Sequence, residues 1–411
     1  AWLISEEEFY DVKFLDYLKL RLSYGVSGND KIANFAYRAL LDGEGVYVFD
    51  DVIIPGTAIG RAGNPDLKWE TTRQFNVGLD MTFWKKLDLT ANYFIKNTFD
   101  LLFQPDVSAI LGSYGPGGYP PIINAGDVSN KGIELEIGYS TEPKKDFVFA
   151  TNFNFTRIVN KVTGVPEGVD FLPGASFGVG GSVATRFEQG YSIGYFHGFE
   201  TAGIFQTQEE IASHPVTQEG AQPGDFIFVD QNGDGVINFS DDSDKTNLGS
   251  PLPDFTMGLS INLNYKNFDF SSMLYAVLGQ DIIRNFERNQ PYANQLDYVI
   301  ERWTGPGSTN EHPRLTTEPT RNTVFSSYYV EDGSFLRLRN IQLGYSLPSK
   351  WIKRLKMERF RIYLAVNNLF TITKYRGYDP DVGSGGALSA GVDYGIYPQA
   401  RTFMGGVQIK F

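Results

Sequence analysis

Alternation with a period of two is the feature that most constrains this chain. It is clearest over the last eleven residues, Arg401 to Phe411. There Phe403, Val407, Ile409 and Phe411 fall on one face, and Thr402, Met404, Gln408 and Lys410 on the other. Successive side chains of a strand point to opposite sides, so the pattern describes a strand between two different environments. A strand of roughly 9–11 residues crosses a bilayer at a tilt. Apolar-out, polar-in alternation is how a membrane barrel separates lipid from lumen. A half-buried strand of a soluble sandwich alternates as well, so the rest of the chain has to choose.

The same period recurs. Leu18, Leu20, Leu22, Tyr24 and Val26 oppose Lys19, Arg21 and Ser23. Phe75, Val77, Leu79, Met81 and Phe83 alternate with Gln74, Asn76, Gly78 and Asp80, and Leu87 to Ile95 follows after the short Trp84–Lys86 connection. Further segments run through Ile133–Tyr139, Phe147–Phe155, Phe255–Leu263, 268–281, Ile341–Tyr345 and Ile362–Val366. A sandwich would place turns every 8–12 residues or so. Here the connections divide into very short ones, near 84–87, 140–146, 265–268 and 347–357, and long ones, at 29–68, 100–126, 282–329 and 372–400. Short turns at one rim and long loops at the other are the habit of an outer-membrane barrel. The reading is therefore all-β: an antiparallel transmembrane β-barrel with long extracellular loops. The side count requires an even number of crossings in 159–252. Two, near 183–191 and 194–206, are favoured over none, for roughly ten to twelve strands in all.

Composition agrees and excludes. Aromatic residues make up 15% of the chain, with 32 Phe and 23 Tyr, which suits aromatic girdles at two interfaces. The sequence has no cysteine, hence no disulfide, thiolate metal site or thiol nucleophile. A net charge of −12 argues against nucleic acid as a partner. No apolar run approaches the roughly 18 residues of a transmembrane helix, and the first residues are not a signal peptide. Residues 1–17 read as a short lead-in and 18–411 as barrel, so the chain reads as the C-terminal part of something longer. A small self-closed barrel is the alternative.

Several stretches together resemble one family, the SusC/RagA-type TonB-dependent outer-membrane transporters. They are Leu18-Lys-Leu-Arg-Leu-Ser-Tyr-Gly-Val-Ser-Gly-Asn29, Leu67-Lys-Trp-Glu-Thr-Thr72, Asn130-Lys-Gly-Ile-Glu-Leu135 and Gly203-Ile-Phe-Gln206. Further on come Arg302-Trp-Thr304, Tyr329 to Asn340, Val366-Asn-Asn-Leu-Phe370 and Tyr375-Arg-Gly-Tyr-Asp-Pro380. The aromatic terminal residue Phe411 also resembles the end signature of bacterial outer-membrane barrels. The resemblance implies a barrel of about 22 strands around an N-terminal plug, in the outer membrane of a Gram-negative bacterium. It also implies import of oligosaccharides or peptides, a SusD-like surface lipoprotein as lid, and TonB engaged through a segment upstream of Ala1. This chain would supply wall and extracellular mouth. A scaffold role in a larger outer-membrane assembly is the alternative.

The most specific local signal is Asp230-Gln-Asn-Gly-Asp-Gly-Val-Ile-Asn-Phe-Ser-Asp241, within 207–252. Asp230, Asn232, Asp234, the Val236 carbonyl and Asp241 occupy positions 1, 3, 5, 7 and 12 of a calcium loop, with Gly235 at position 6. Asp replaces the usual Glu at the last position. The expected cofactor is calcium, pinning a surface loop; an Asx-rich turn without metal is the plainer alternative. Nothing marks an enzyme. Glu134 and Glu136 share a lumen face that polarity alone explains, and His197, His214 and His312 lack metal spacing. Gly115-Pro-Gly-Gly118 lacks the Lys-Ser/Thr of a phosphate loop. Trp303, Tyr328 and Tyr329 read first as packing residues and second as sugar-stacking ones.

Overall fold

A computed structural model describes all residues except 33, 105–119, 143–145, 179–180, 288–293, 295, 353–355 and 384–385. The Gly115–Gly118 run lies outside the described residues. One eleven-stranded antiparallel sheet dominates. Its long members are Leu15–Asn29, Glu70–Phe83, Leu87–Phe99, Asp127–Ser140, Phe147–Gly164, Phe255–Tyr265, Phe268–Leu278, Phe335–Ser346, Arg359–Thr373 and Thr402–Lys410. They pair in chain order, each with the next, and the short Trp2–Leu3 ribbon pairs onto the first. Among the described residues the two ends of the sheet do not pair with each other, so no small closed barrel forms.

Register puts the apolar residues of the alternating segments on one face. Leu20 pairs with Leu79, Leu79 with Ala91, Leu89 with Ile137, and Ile137 with Phe153. The row continues through Leu259, Leu274 and Leu338. Much of this face is uncovered among the described residues: Leu22, Leu343, Leu364 and Phe403 are all more than half exposed. A contiguous apolar surface of this extent is not stable in water and requires an apolar medium or partner.

The other face carries a polar ladder. Arg21 sends two N–H groups to Asp80 at 2.8 Å and a third contact to Asn92 at 2.7 Å. Asn152 donates to Glu136 at 2.6 Å. Arg361 grips Asp269 across an intervening strand and reaches Gln408 at 3.3 Å. Glycine opens the lane for these crossings. A Cβ on Gly78 would sit 2.7 Å from the Arg21 guanidinium, and one on Gly344 would strike Arg361 and Asp269.

One rim has only short connections. At Trp84-Lys85 and Lys266 the backbone takes positive φ, the conformation that tight hairpins need to match strand twist. The opposite rim carries the long connections, and their described residues form several small sheets of their own. The expected crossings near 183–191 and 194–206 do not exist. Phe147–Gly164 pairs directly with Phe255–Tyr265. The intervening strands Thr185–Glu188 and Tyr195–Phe199 belong instead to a separate four-stranded sheet with Phe171–Pro173 and Lys245–Gly249. The reason is physical: they are four and five residues long, too short to span. Thr185, Phe187, Tyr195 and Phe196 are buried whichever way they point. The first wall strand begins at Leu15, inside the expected lead-in. The strand expected over 268–281 ends at Leu278, and Asp281–Arg284 joins another small sheet.

Candidate functional site

The mouth is built from the long connections. Phe177, Ala184 and Phe196 come from one, Ile283, Phe325 and Tyr329 from the next, and Val392 from the last; together they form one buried cluster. A second cluster, with Val128, Val162, Leu172 and Phe187, fastens this cap to the wall strands. A third surrounds Phe199, Ile204, Phe226, Phe228 and Ile237. Burial of these side chains is what holds several loops as one unit.

Charges are buried between the clusters, and they are paired. Arg284 is fully buried, ion-paired with Glu287 and Glu331, with its guanidinium 4.8 Å from the Tyr298 ring centre and 5.2 Å from that of Tyr328. Burial pushes Arg284 toward its neutral form, but Glu287, Tyr298 and Glu331 hold it charged. Arg314 meets Asp225 at 2.6 Å, and Asn322 donates to the same carboxylate at 2.9 Å. Asp393, fully buried, accepts from Tyr375 at 2.7 Å and from the Gly395 N–H at 2.8 Å. Such pairs add little net stability, because desolvation offsets the attraction, but they are costly to break.

The aspartate-rich turn lies on the outside of this cap. Asp230 accepts from the Gly233 N–H at 2.7 Å and the Gly235 N–H at 2.8 Å, and the Gly235 bond is the main reason its carboxyl is more acidic than usual. Asn232 and Asp234 bond each other. Val236 forms a bridge to Thr217 that ties the turn to the cap. Asp241 is turned aside, accepting from the Ser243 N–H and Oγ on one oxygen and from Asn238 on the other. The fully buried Asp244, which the sequence reading missed, caps the Gln231 and Asn238 N–H groups and comes within hydrogen-bonding reach of Asp230. Its spacing, three residues beyond the twelve-residue pattern, gave no signal. Among the described residues, no three acidic or histidine side chains converge as a metal cage.

The remaining candidates separate. Glu134 and Glu136 bind Asn92 and Asn152 in the ladder. His214 pairs with its own turn at Val216, and His312 with the Tyr328 hydroxyl at 2.9 Å. His197 has a buried Nδ1 without a hydrogen-bond partner, and burial, reinforced by Arg186, lowers its pKa to about 4. Trp303 donates to Gln206 at 3.1 Å and packs on the third cluster, while Tyr329 is buried, so these aromatics are packing residues.

The family described as TonB dependent receptor-like, beta-barrel, matches residues 10–369. The chain belongs to that family. The receptor barrel is 33% identical over its whole length to TonB-dependent receptor P3 of Formosa agariphila, covering 41% of that protein. It is 32% identical over its whole length to TonB-dependent receptor SusC of Bacteroides thetaiotaomicron, covering 39%. A solved structure of the RagAB peptide transporter superposes on the entire chain with a TM-score of 0.80 at 26% identity, over 42% of that chain. The receptor barrel thus spans about two-fifths of the length of the relatives it matches. The family is one of receptors and transporters, in line with the lack of any catalytic pattern in the sequence.

Proposed function

We propose that this chain forms wall and mouth of an outer-membrane importer of oligosaccharides or peptides, driven through TonB, with a SusD-like surface lipoprotein over the mouth. The observation that carries the reading is the end-to-end match to SusC and to the RagAB transporter. The physical layout supports it. The uncovered apolar face is suited to lipid, and the polar ladder to a wet lumen. Two unpaired sheet edges are suited to further barrel strands, because long open edges are otherwise liabilities. On this reading the plug and the TonB-contacting segment would lie outside the stretch that this chain covers.

The test is energised uptake in cells carrying the full-length gene. Growth on the substrate should disappear when the gene is deleted or TonB is uncoupled, and gentle extraction should recover a surface lipoprotein with the barrel. Growth unaffected by both, together with recovery inside a larger assembly, would favour the scaffold reading.

The 230–244 turn is proposed to take calcium. Hard cations of this size prefer several oxygens. Asp230, Asn232, Asp234 and the Val236 carbonyl supply the sequence pattern, and the buried Asp244 stands beside Asp230 where Asp241 does not. The ion's role would be to pin the turn to the cap.

A further inference from the structure

On the inner face of the wall, between Arg359–Thr373 and the 377–380 and 398–401 segments, lies a cavity of about 300 Å3. Its lining includes Arg337, Asn368, Thr371, Tyr378, Gln399 and Arg401. The floor is electrically settled. Arg337 is buried, bonds Asp379, and donates to the Thr371 hydroxyl at 2.9 Å. Asp379 is further satisfied by the Asp381 and Gln399 N–H groups at 2.9 and 3.0 Å.

The rim is not settled. Arg337 and Arg339 share Asp379 and Asp381 between them. Arg401 is exposed at the opening and has no ion pair or hydrogen bond with any described residue, so no described side chain offsets its charge. Several neighbouring polar groups are also unused. Thr371 accepts from Arg337 and keeps its own proton to donate. Asn368 donates to the Ala400 carbonyl at 3.1 Å, which leaves its side-chain oxygen available. The Gln399 carboxamide is likewise unengaged among the described residues. Tyr378 is 64% exposed, with the Phe286 ring 6.1 Å away to one side of its own.

We propose that this cavity binds a carboxylate-bearing sugar unit of the imported oligomer; the inference rests on the importer reading above. A planar guanidinium takes a carboxylate through two parallel hydrogen bonds, and one free Arg suits one acid group. Separate donors and acceptors at Thr371, Asn368 and Gln399 suit sugar hydroxyls, each of which both gives and accepts. The exposed Tyr378 ring offers an apolar platform for a sugar face. The volume is at the lower end for ligand pockets, which fits one unit of a chain rather than a whole ligand. An acidic peptide would engage Arg401 too, but it would leave the hydroxyl-matched groups without purpose.

The test uses the full-length receptor with its copurified partner in detergent. Calorimetry compares trimers of glucuronic, galacturonic and mannuronic acid with neutral trimers of glucose, galactose and mannose, and with triaspartate. At least one uronate trimer is expected to bind at least tenfold tighter than its neutral counterpart. Arg401→Gln should remove that preference, Arg401→Lys should restore part of it, and Tyr378→Ala should weaken both acidic and neutral sugars. Heat-modifiable migration on gels reports folding of each variant, and if Arg401→Gln does not fold, the same loss of uronate preference is read from Gln399→Ala and Thr371→Val. No uronate preference, an unchanged preference in a folded Arg401→Gln protein, or tighter binding of triaspartate overturns the proposal. TonB-dependent uptake that persists without uronate preference would sink this inference and leave the importer reading standing.

Discussion

Wall and mouth are both made of strands, yet different physics holds them. Each wall strand has one face toward the uncovered apolar side and one toward the polar ladder, so every second residue reports its surroundings. The strands at the centre of the mouth are short and mostly buried on both faces, with Phe196, Ile283 and Val392 meeting from three separate connections; the exposed hairpin of Leu40–Phe49 and Val52–Arg61 lies apart from them. In the wall, neighbours in the sheet are neighbours in sequence order. In the mouth, Ile283 pairs in parallel with Val392, more than a hundred residues away. The wall is therefore specified locally, and the mouth by long-range packing around buried charges.

The sharpest way to separate the two is to remove one buried charge from the mouth. Arg284→Ala leaves the largely buried Glu287 without its cation and Glu331 with Arg376 alone, a loss of about 3 kcal/mol, the lower end for a broken buried pair. Amide exchange should accelerate across 281–284, 330–332 and 392–393, while the wall strands keep their protection. If wall and mouth exchange together, the mouth is not a separate unit.

The wall is tested by charge on each of its faces. Leu259 lies in an apolar row with Phe153 and Leu274, and Ser260 beside it faces the ladder side with Asn152. Leu259→Lys should cost about 2–4 kcal/mol near the bilayer midplane, and Ser260→Lys far less. Folding of the full-length barrel into lipid vesicles in a urea series measures both. Equal penalties would remove the distinction between lipid and lumen faces.

This contrast also explains what was legible in sequence. The ten long strands and the sorting of short and long connections follow from period-two alternation. The mouth broke the same rule in two ways. Thr185–Glu188 and Tyr195–Phe199 alternate passably but are too short to cross, and only their burial on both faces reveals it. The hairpin of Leu40–Phe49 and Val52–Arg61 lies inside the long 29–68 connection, and the two positive φ values of its Asp50-Asp51 turn belong to the backbone and leave no period-two signal. Most of the aspartate turn was visible because its pattern is local. Asp244 was invisible because burial, not spacing, brings it to Asp230.

Calcium sharpens the comparison at one point of the mouth. An ion present at about ten times its dissociation constant, as millimolar calcium would be for a weak extracellular site, adds about 1.4 kcal/mol to the bound form. Asp230→Asn combined with Asp234→Asn should raise protease cleavage near 225–245 in calcium buffer and leave the wall untouched. Wild-type cleavage that is the same in calcium and in chelator would leave the plain Asx-rich turn.

The smallest expected effect is a pH response confined to the mouth. His197 sits beside Arg186, Asp242 and Lys245. Burial and then Arg186 lower its pKa to about 4 from the ordinary 6.5, with Asp242 opposing them. Because the folded pKa is lowered, the unfolded segment takes up the proton first. His197 therefore costs the folded mouth nothing above pH 6.5, and an increasing amount as pH falls from 6.5 toward 4. Asp242 acts lower: burial raises its pKa, but bonds from Lys245 and Arg186 override this and bring it to about 2, so its contribution is lost only below the ordinary 3.8. Within this cluster, the response between pH 6.5 and 4 thus belongs to His197 and not to Asp242. Amide exchange over 184–199 should rise severalfold from pH 7.5 to 4.5 after correction for the intrinsic rate, with no matching change in Phe255–Tyr265. His197→Gln should flatten that rise. A flat wild-type profile, or a rise of equal size in the wall, would show that the buried imidazole does not govern the acid response of 184–199.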